Sequence, residues 1–273
     1  MVADSNDDGD DVLELELLAT QPSGAGVGRV IAGSASYAGK TVLVCARHAC
    51  GRCEVCRRGG AAVCPQSRPT GTRVSSRWAV VNDGFELPVH AAAAVAGDFA
   101  TAYTLYARTG LAPRDPVVVT GANAIARGLV QILRAKGIAP VVIGGDDTWA
   151  AWVVNTGALH AATLDGVPAA LATQGLGTRP ARVIATAAES LADATALAGP
   201  RATLTVLADA TLPALPAALV AREVVVIGVA GPHPDLVTEV AAMCKKGELD
   251  LAASVTTDPA DATRAYVTSR PSR

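Results

Sequence analysis

The sequence predicts an α/β protein, with a doubly wound parallel sheet over about residues 100 to 231 and smaller pieces on both sides. Three observations carry that expectation. From residue 115 onward, continuous apolar runs alternate regularly with helix-periodic segments. Half of the residues are apolar but only 3% are aromatic, so the core is built from Ala, Val and Leu and suits close helix-on-sheet packing. Five of the six cysteines fall within one stretch, residues 45 to 64, ahead of the alternating region.

Along the chain, residues 1 to 11 carry five Asp and no large core former beyond Val2, which predicts a solvated, disordered acidic tail. "VLELELL" (12 to 18) alternates apolar and acidic residues and predicts a half-buried strand. "GKTVLV" (39 to 44) and "RWAVV" (77 to 81) read as short strands around the cysteine loop, and residues 90 to 110 as a helix stopped by Gly110. Strands follow at 116 to 121, 139 to 145, 182 to 187, 202 to 208 and 223 to 230, as runs expected to be buried on both faces of a parallel sheet. Helices are predicted at 124 to 137 and 148 to 157. A further helix at 234 to 247 has Pro and Asp at its start, Lys245 and Lys246 in its last turn and Gly247 after it, and "LAASVTT" (251 to 257) predicts a closing strand. No 20–50-residue repeat is present.

The bulk properties exclude several classes. A net charge of −2 gives no electrostatic footprint for nucleic acid. No apolar run reaches membrane-span length, and the opening lacks the basic and apolar regions of a signal peptide. Six cysteines in 273 residues are too few for a disulfide scaffold, and their clustering predicts metal binding in a reducing cytoplasm.

Cys50, Cys53, Cys56 and Cys64 are spaced C-x2-C-x2-C-x7-C. The two-residue gaps let three sulfurs curl around an ion, and the longer return, with Gly59 and Gly60, brings the fourth from the other side. Four thiolates saturate tetrahedral zinc and leave no position for water or substrate, so such a site staples without polarising anything. Arg52, Arg57 and Arg58 offset the dianionic charge of a zinc tetrathiolate. A redox or iron–sulfur role is the alternative for the same residues. Cys45 reads as a packed thiol rather than a fifth ligand.

"CGRCEVCRRGGAAVC" resembles the structural-zinc lobe of the zinc-type medium-chain dehydrogenase/reductase (alcohol dehydrogenase-like) family. "AGKTVLV" is similar to the strand ahead of that lobe, with Lys40 where Asp is usual. Residues 87 to 143 follow the family's run from interdomain helix through the first βαβ unit, and "VVVIGVAGP" with "LVTEVAAMCKKGELDL" resembles its last Rossmann strand and return helix. The resemblance covers about residues 22 to 270 and marks the chain as a shortened, degenerate member. It implies a Rossmann domain at 99–231, a truncated GroES-like β domain carrying the zinc lobe at 12–98, and a return helix and strand at 232–273 packing on that first domain.

The resemblance also marks what is missing. The family holds a catalytic zinc with a Cys near the N-terminus, a His in a G-H-E motif, and a Cys or acid before the interdomain helix. The segment with the first Cys has no counterpart here, Gly24 and Ala25 stand at the His and Glu, and the third position is Gly97, with the lone carboxylate of Asp98 beside it. No catalytic zinc is expected. At the dinucleotide fingerprint the chain has Gly121, Asn123 and Ala126, and the ribose-binding acid falls at Gly145, so that Asp146 is the candidate in its place. Thr101 aligns with a Thr near the nicotinamide, or else caps a buried helix turn. Tyr37, His48 and Tyr103, with His90, are weak candidates for metal-free proton transfer.

Two functional readings follow from the resemblance. One is a zinc-independent, NAD(P)-linked oxidoreductase with structural zinc only, moving hydride to or from a small carbonyl, alcohol or enoyl substrate. The other is a catalytically inactive homologue serving as an assembly or regulatory subunit. "EVVVIGVAG" resembles the family's dimer-edge strand, so a homodimer or hetero-oligomer through that strand is expected.

Overall fold

The computed structural model describes residues 11–207, 216–232 and 234–251 and the strands at 255–258 and 261–267. The acidic tail predicted at 1–11 lies outside the described residues apart from Asp11. The chain divides into two compact units. Of the described residues, the first takes in 11–100, 232, 234–247 and the strands at 255–258 and 261–267; the second takes in 101–207, 216–231 and 248–251.

The first unit opens with β1 (Val12–Thr20), β2 (Gly26–Ala32) and β3 (Thr41–Val44). In β1, Leu13 and Leu15 are buried while Glu14 and Glu16 face water, the two-residue alternation of a sheet covered on one side. Then come β4 (Arg47–His48), the single helical turn α1 (Glu54–Arg57), and β5 (Arg68–Pro69), with β4 and β5 pairing as a small antiparallel ladder. β6 (Arg73–Ser75) pairs with β1 and β7 (Ala79–Val81) with β3. Leu13, Leu15, Val30, Val42, Val44, Val74 and Trp78 form one buried cluster that includes Cys64, with Cys50, Cys53 and Cys56 packed against it. The cysteine lobe is therefore joined to the sheet's own core.

The helix predicted over 90–110 divides into α2 (Val89–Ala94), a π-helical turn (Val95–Phe99) and α3 (Ala100–Thr109). The second unit is a parallel six-stranded sheet. Its strands are β8 (Val117–Thr120), β9 (Val141–Ile143), β10 (Leu159–Ala161), β11 (Arg182–Ala185), β12 (Thr203–Leu207) and β13 (Val225–Val229). The helices are α4 (Ala124–Ala135), α5 (Asp147–Asn155), α6 (Val167–Thr173), α7 (Leu191–Leu197) and α8 (Ala217–Ala221). The strand order β10-β9-β8-β11-β12-β13 is the doubly wound order, whose direction of winding reverses between β8 and β11. β8, β9 and β12 are buried throughout, as predicted for strands covered on both faces. β13 corrects that expectation: it ends the sheet, and Val225 is 55% exposed, because an apolar run alone does not tell an edge strand from a central one.

The chain then returns to the first unit through α9 (Pro234–Lys245), β14 (Val255–Asp258) and β15 (Asp261–Val267). The first unit's sheet runs β14-β15-β1-β2-β3-β7, with β15 parallel to β1. The closing strand predicted at 251–257 is β14, and residues 252–254 lie outside the described ones.

Candidate metal centre and nucleotide-binding turn

The four cysteines converge in the first unit. Their sulfurs lie within 4.8 Å of one another, with Sγ–Sγ separations of 3.6 Å for Cys50–Cys64, 3.5 Å for Cys53–Cys56, 3.8 Å for Cys53–Cys64 and 3.9 Å for Cys50–Cys56. A tetrahedron with Zn–S bonds of ~2.3 Å has S–S edges of ~3.8 Å, so the quartet has the size zinc requires and is far too open for disulfides. Cys53 is also the N-cap of α1, and backbone N–H groups of Cys50, Cys53 and Cys56 each donate to a sulfur, at 3.5, 3.4 and 3.5 Å. Such donors stabilise thiolate charge. The Cys50 thiol is lowered to about 6, first by the backbone N–H of Arg52, whereas Cys56 is pushed up to about 12, chiefly by desolvation. Cys45 is buried outside the quartet, and burial raises its thiol to about 12, which suits an unreactive packing residue.

The positions matching the family's catalytic zinc look different. Gly24 and Ala25 close the turn from β1 to β2, where Gly24 N–H donates to Gln21 O at 2.9 Å and Gln21 N–H to Ala25 O at 2.7 Å. The Gln21 side chain, 4% exposed, folds onto the π turn: Nε2 donates to Asp98 Oδ2 at 2.9 Å, and Oε1 accepts from the Asp98 N–H at 3.0 Å. A Cβ at Gly97 would collide with Gln21 Oε1. Gly24, Ala25 and Gly97 bring no ligand atom, and Asp98, the one carboxylate at hand, is held by an amide. This donor set does not fit a zinc ion. A cavity of about 440 Å³ opens beside the turn, lined by Leu17, Thr20, Gln21, Gly24, Val44 and Thr70 among others.

In the second unit, the turn from β8 into α4 sits where the strand order reverses. Gly121 has φ of +108°, and a Cβ there would lie 2.5 Å from Thr186 Oγ1 on the far side of the switch point. Thr186 donates to Thr120 O through its backbone N–H (3.1 Å) and its hydroxyl (2.9 Å), tying β11 to β8 at their carboxyl ends. Asn123 caps α4: its Oδ1 accepts from Ala126 N–H at 2.8 Å while Nδ2 donates to Thr186 O at 3.1 Å. One donor of the helix N-terminus is thus occupied from within, leaving the N–H groups of Ala124 and Ile125 in the first turn to face an anion.

Asp146 is likewise the N-cap of α5, with Oδ1 accepting from Trp149 N–H at 2.9 Å. A Cβ at Gly145 would collide with the Trp149 indole, so the residue aligned with the ribose-binding acid has no room for a side chain.

The fold of the chain, with a doubly wound parallel sheet in one unit and an antiparallel sheet in the other, is found in solved structures. The D-arabinose dehydrogenase from Sulfolobus solfataricus superposes with a TM-score of 0.76 at 15% identity, covering 95% of this chain and 93% of that one. A short chain alcohol dehydrogenase from E. coli CFT073, complexed with NADH, gives 0.72 at 18% identity over 91% and 83% of the two chains. A cobalt- and zinc-bound thermostable alcohol dehydrogenase from Pyrobaculum aerophilum gives 0.72 at 18% identity over 89% and 82%. The fold is that of the zinc-type alcohol dehydrogenases. No protein-family profile matches the sequence, and no curated protein does.

Within the alcohol dehydrogenase fold, the structure gathers Gly121, Asn123 and Ala126 at one turn and puts Asp146 at the start of the next helix. Thr101 lies on α3 and is half-buried. The proton-transfer candidates are scattered. Tyr37 sits in the turn between β2 and β3, packed on the first unit's core. His48 lies on β4, its pKa lowered by burial and then by Arg68 and Arg47. Tyr103 is on α3, edge-on to Tyr106 at 5.4 Å. Sequence reasoning missed Gln21 and Thr186, since no motif marks a glutamine that folds onto a helical turn or a threonine that packs at a switch point.

Proposed function

We propose that the chain is a medium-chain oxidoreductase that binds a nicotinamide dinucleotide in its second unit and has no catalytic metal. It moves hydride to or from a small carbonyl, alcohol or enoyl compound, with zinc in the Cys50–Cys53–Cys56–Cys64 lobe serving as a staple. The observation that carries this reading is the glycine turn into α4 at the switch point of a 3-2-1-4-5-6 sheet, retained while Gly24, Ala25 and Gly97 offer nothing to a metal.

Gly121, Asn123 and Ala126, with the N–H groups of Ala124 and Ile125, would hold the pyrophosphate at the α4 N-terminus. Thr101 would stand toward the nicotinamide. Asp146 and Asp147, both exposed and followed by no Arg or Lys over residues 148 to 157 of the sequence, would oppose a 2′-phosphate, which favours NAD over NADP. A bound nicotinamide would donate the hydride in reduction and accept it in oxidation, and the chain would supply orientation. Tyr37, His48, Tyr103 or water would give up a proton in the first direction and take one in the second. Calorimetric titration with NADH and NADPH tests the reading: heat with NADH supports it, and folded protein that gives no heat with either rejects it.

A second reading, an inactive homologue retained as an assembly subunit, has its own support. Asn123 and Asp146, the polar side chains nearest the expected cofactor contacts, are both engaged in capping their own helices. The edge of β13, unpaired among the described residues and with Val225 exposed, offers a strand for pairing across a two-fold axis with a like chain or a related subunit. A monomer at micromolar concentration by light scattering would count against that pairing.

A further inference from the structure

The charges of the first unit are segregated in a way that hydride transfer does not use. Between Arg47 and Arg77 the chain carries seven arginines, no lysine and one acid, Glu54, while the remaining residues hold sixteen basic and twenty-four acidic side chains. All seven arginines are exposed. They are also brought together. Arg47 and Arg68 stand on the paired strands β4 and β5, in the register Arg47↔Pro69 and His48↔Arg68. The Arg77 guanidinium lies over Gly51, 2.9 Å from where a Cβ would be, next to Arg52 in the chain. Arg57 and Arg58 end α1.

Few of these charges are answered. Arg58 pairs with Glu54 at 2.6 Å and Arg73 with Glu14 at 3.8 Å. Arg47 donates to Ser67 through Nε (3.0 Å) and Nη2 (2.7 Å), which fixes its guanidinium without neutralising it. Arg52, Arg57, Arg68 and Arg77 have no carboxylate partner among the described residues. A zinc tetrathiolate removes only two charges, so the lobe remains cationic with metal bound.

We propose that this arginine face is a docking surface for an acidic polypeptide segment. Arginine's planar fork pairs two-pronged with carboxylates, and a set made of arginine alone fits that chemistry better than diffuse attraction through lysine. The features that read nucleic acid are missing from the lobe. Its helix α1 is four residues long, too short to lie in a major groove, and its one indole, Trp78, is buried and cannot stack on a base. The chain also carries the complementary chemistry. Residues 4 to 16 hold seven acids and no base, and within the first unit β1 runs antiparallel to β6 with Glu14 paired to Arg73. An acidic strand against an arginine-bearing one is thus already formed within the first unit.

The test uses the full-length, zinc-loaded chain and a fluorescent ten-residue oligo-aspartate peptide, with a ten-nucleotide single-stranded DNA as the rival polyanion. Anisotropy at about 50 mM salt is expected to show peptide binding that weakens about tenfold by about 300 mM, as screened charge pairs require. The triple variant Arg52→Gln, Arg57→Gln, Arg68→Gln is expected to weaken binding at least about tenfold, and the matching Arg→Lys variant about threefold. Circular dichroism and zinc content, unchanged in both, show that the lobe remains folded. No peptide binding at low salt, equal binding by the glutamine variant, or tighter binding of the DNA overturns the proposal.

Discussion

Gln21 and Asp98 are held together by two hydrogen bonds, amide to carboxylate at 2.9 Å and backbone N–H to amide at 3.0 Å, beside the positions that the sequence resemblance assigns to metal ligands. The amide takes the space a ligand side chain at position 97 would need. A side chain at position 97 and the Gln21 amide therefore exclude one another. Gly97→Ala is expected to destabilise the protein by about 1–3 kcal/mol through overpacking and to lower Tm by several degrees. Adding Gln21→Ala should recover part of that loss, because the two residues share one space. Strictly additive effects in calorimetry would contradict the clamp.

Asn123 both caps α4 and ties it to Thr186. Asn123→Ala is expected to cost about 1–2 kcal/mol, measured by chemical denaturation. Asn123→Gly should cost less at the cap, and it frees the Ala126 N–H and bares the backbone to a pyrophosphate. Its NADH affinity is expected to rise above the parent's. A weaker affinity would mean that Asn123 helps to hold the cofactor.

The cysteine lobe is predicted to hold one zinc per chain. Cys53→Ser removes a metal ligand while leaving a hydroxyl able to cap α1, and should lower stability by several kcal/mol. An unchanged melting temperature would rule out a structural role. Thiolates bind the metal, so protons compete with it, and a chelator should strip zinc faster as the pH falls.

Cys45 carries a pH dependence of the opposite sense. Burial raises its thiol from 9.0 to about 12, so the folded chain keeps a proton that the unfolded chain releases. Its contribution is fully present below pH 9.0 and is lost as pH rises toward about 12. Cys45→Ala should flatten the alkaline fall in stability between pH 8 and 10.5, as followed by urea denaturation. A parallel fall in both proteins would show that Cys45 is not its source.

Much of this fold was legible because its signals are local. β1 alternates Leu and Glu, the parallel strands are short apolar runs, and the C-x2-C-x2-C-x7-C spacing closes on itself in the structure. β2 escaped notice because Gly26 and Gly28 interrupt its pattern, and the glycines are there because β1 passes too close for a Cβ. The capping roles of Asn123 and Asp146 are legible in the sequence, each standing directly before an apolar helix, while the family resemblance points to the same two residues as ligand contacts. Gln21 had no such signal. Its role depends on Gly97 and Asp98, some seventy-seven positions away, and only folding brings them together.

The most direct test of the central claim is calorimetric titration of NADH into folded protein whose metal content has been measured by mass spectrometry. The account predicts one zinc per chain and saturable heat with NADH that exceeds the heat with NADPH. Two zincs per chain, or no heat with either nucleotide, would contradict it.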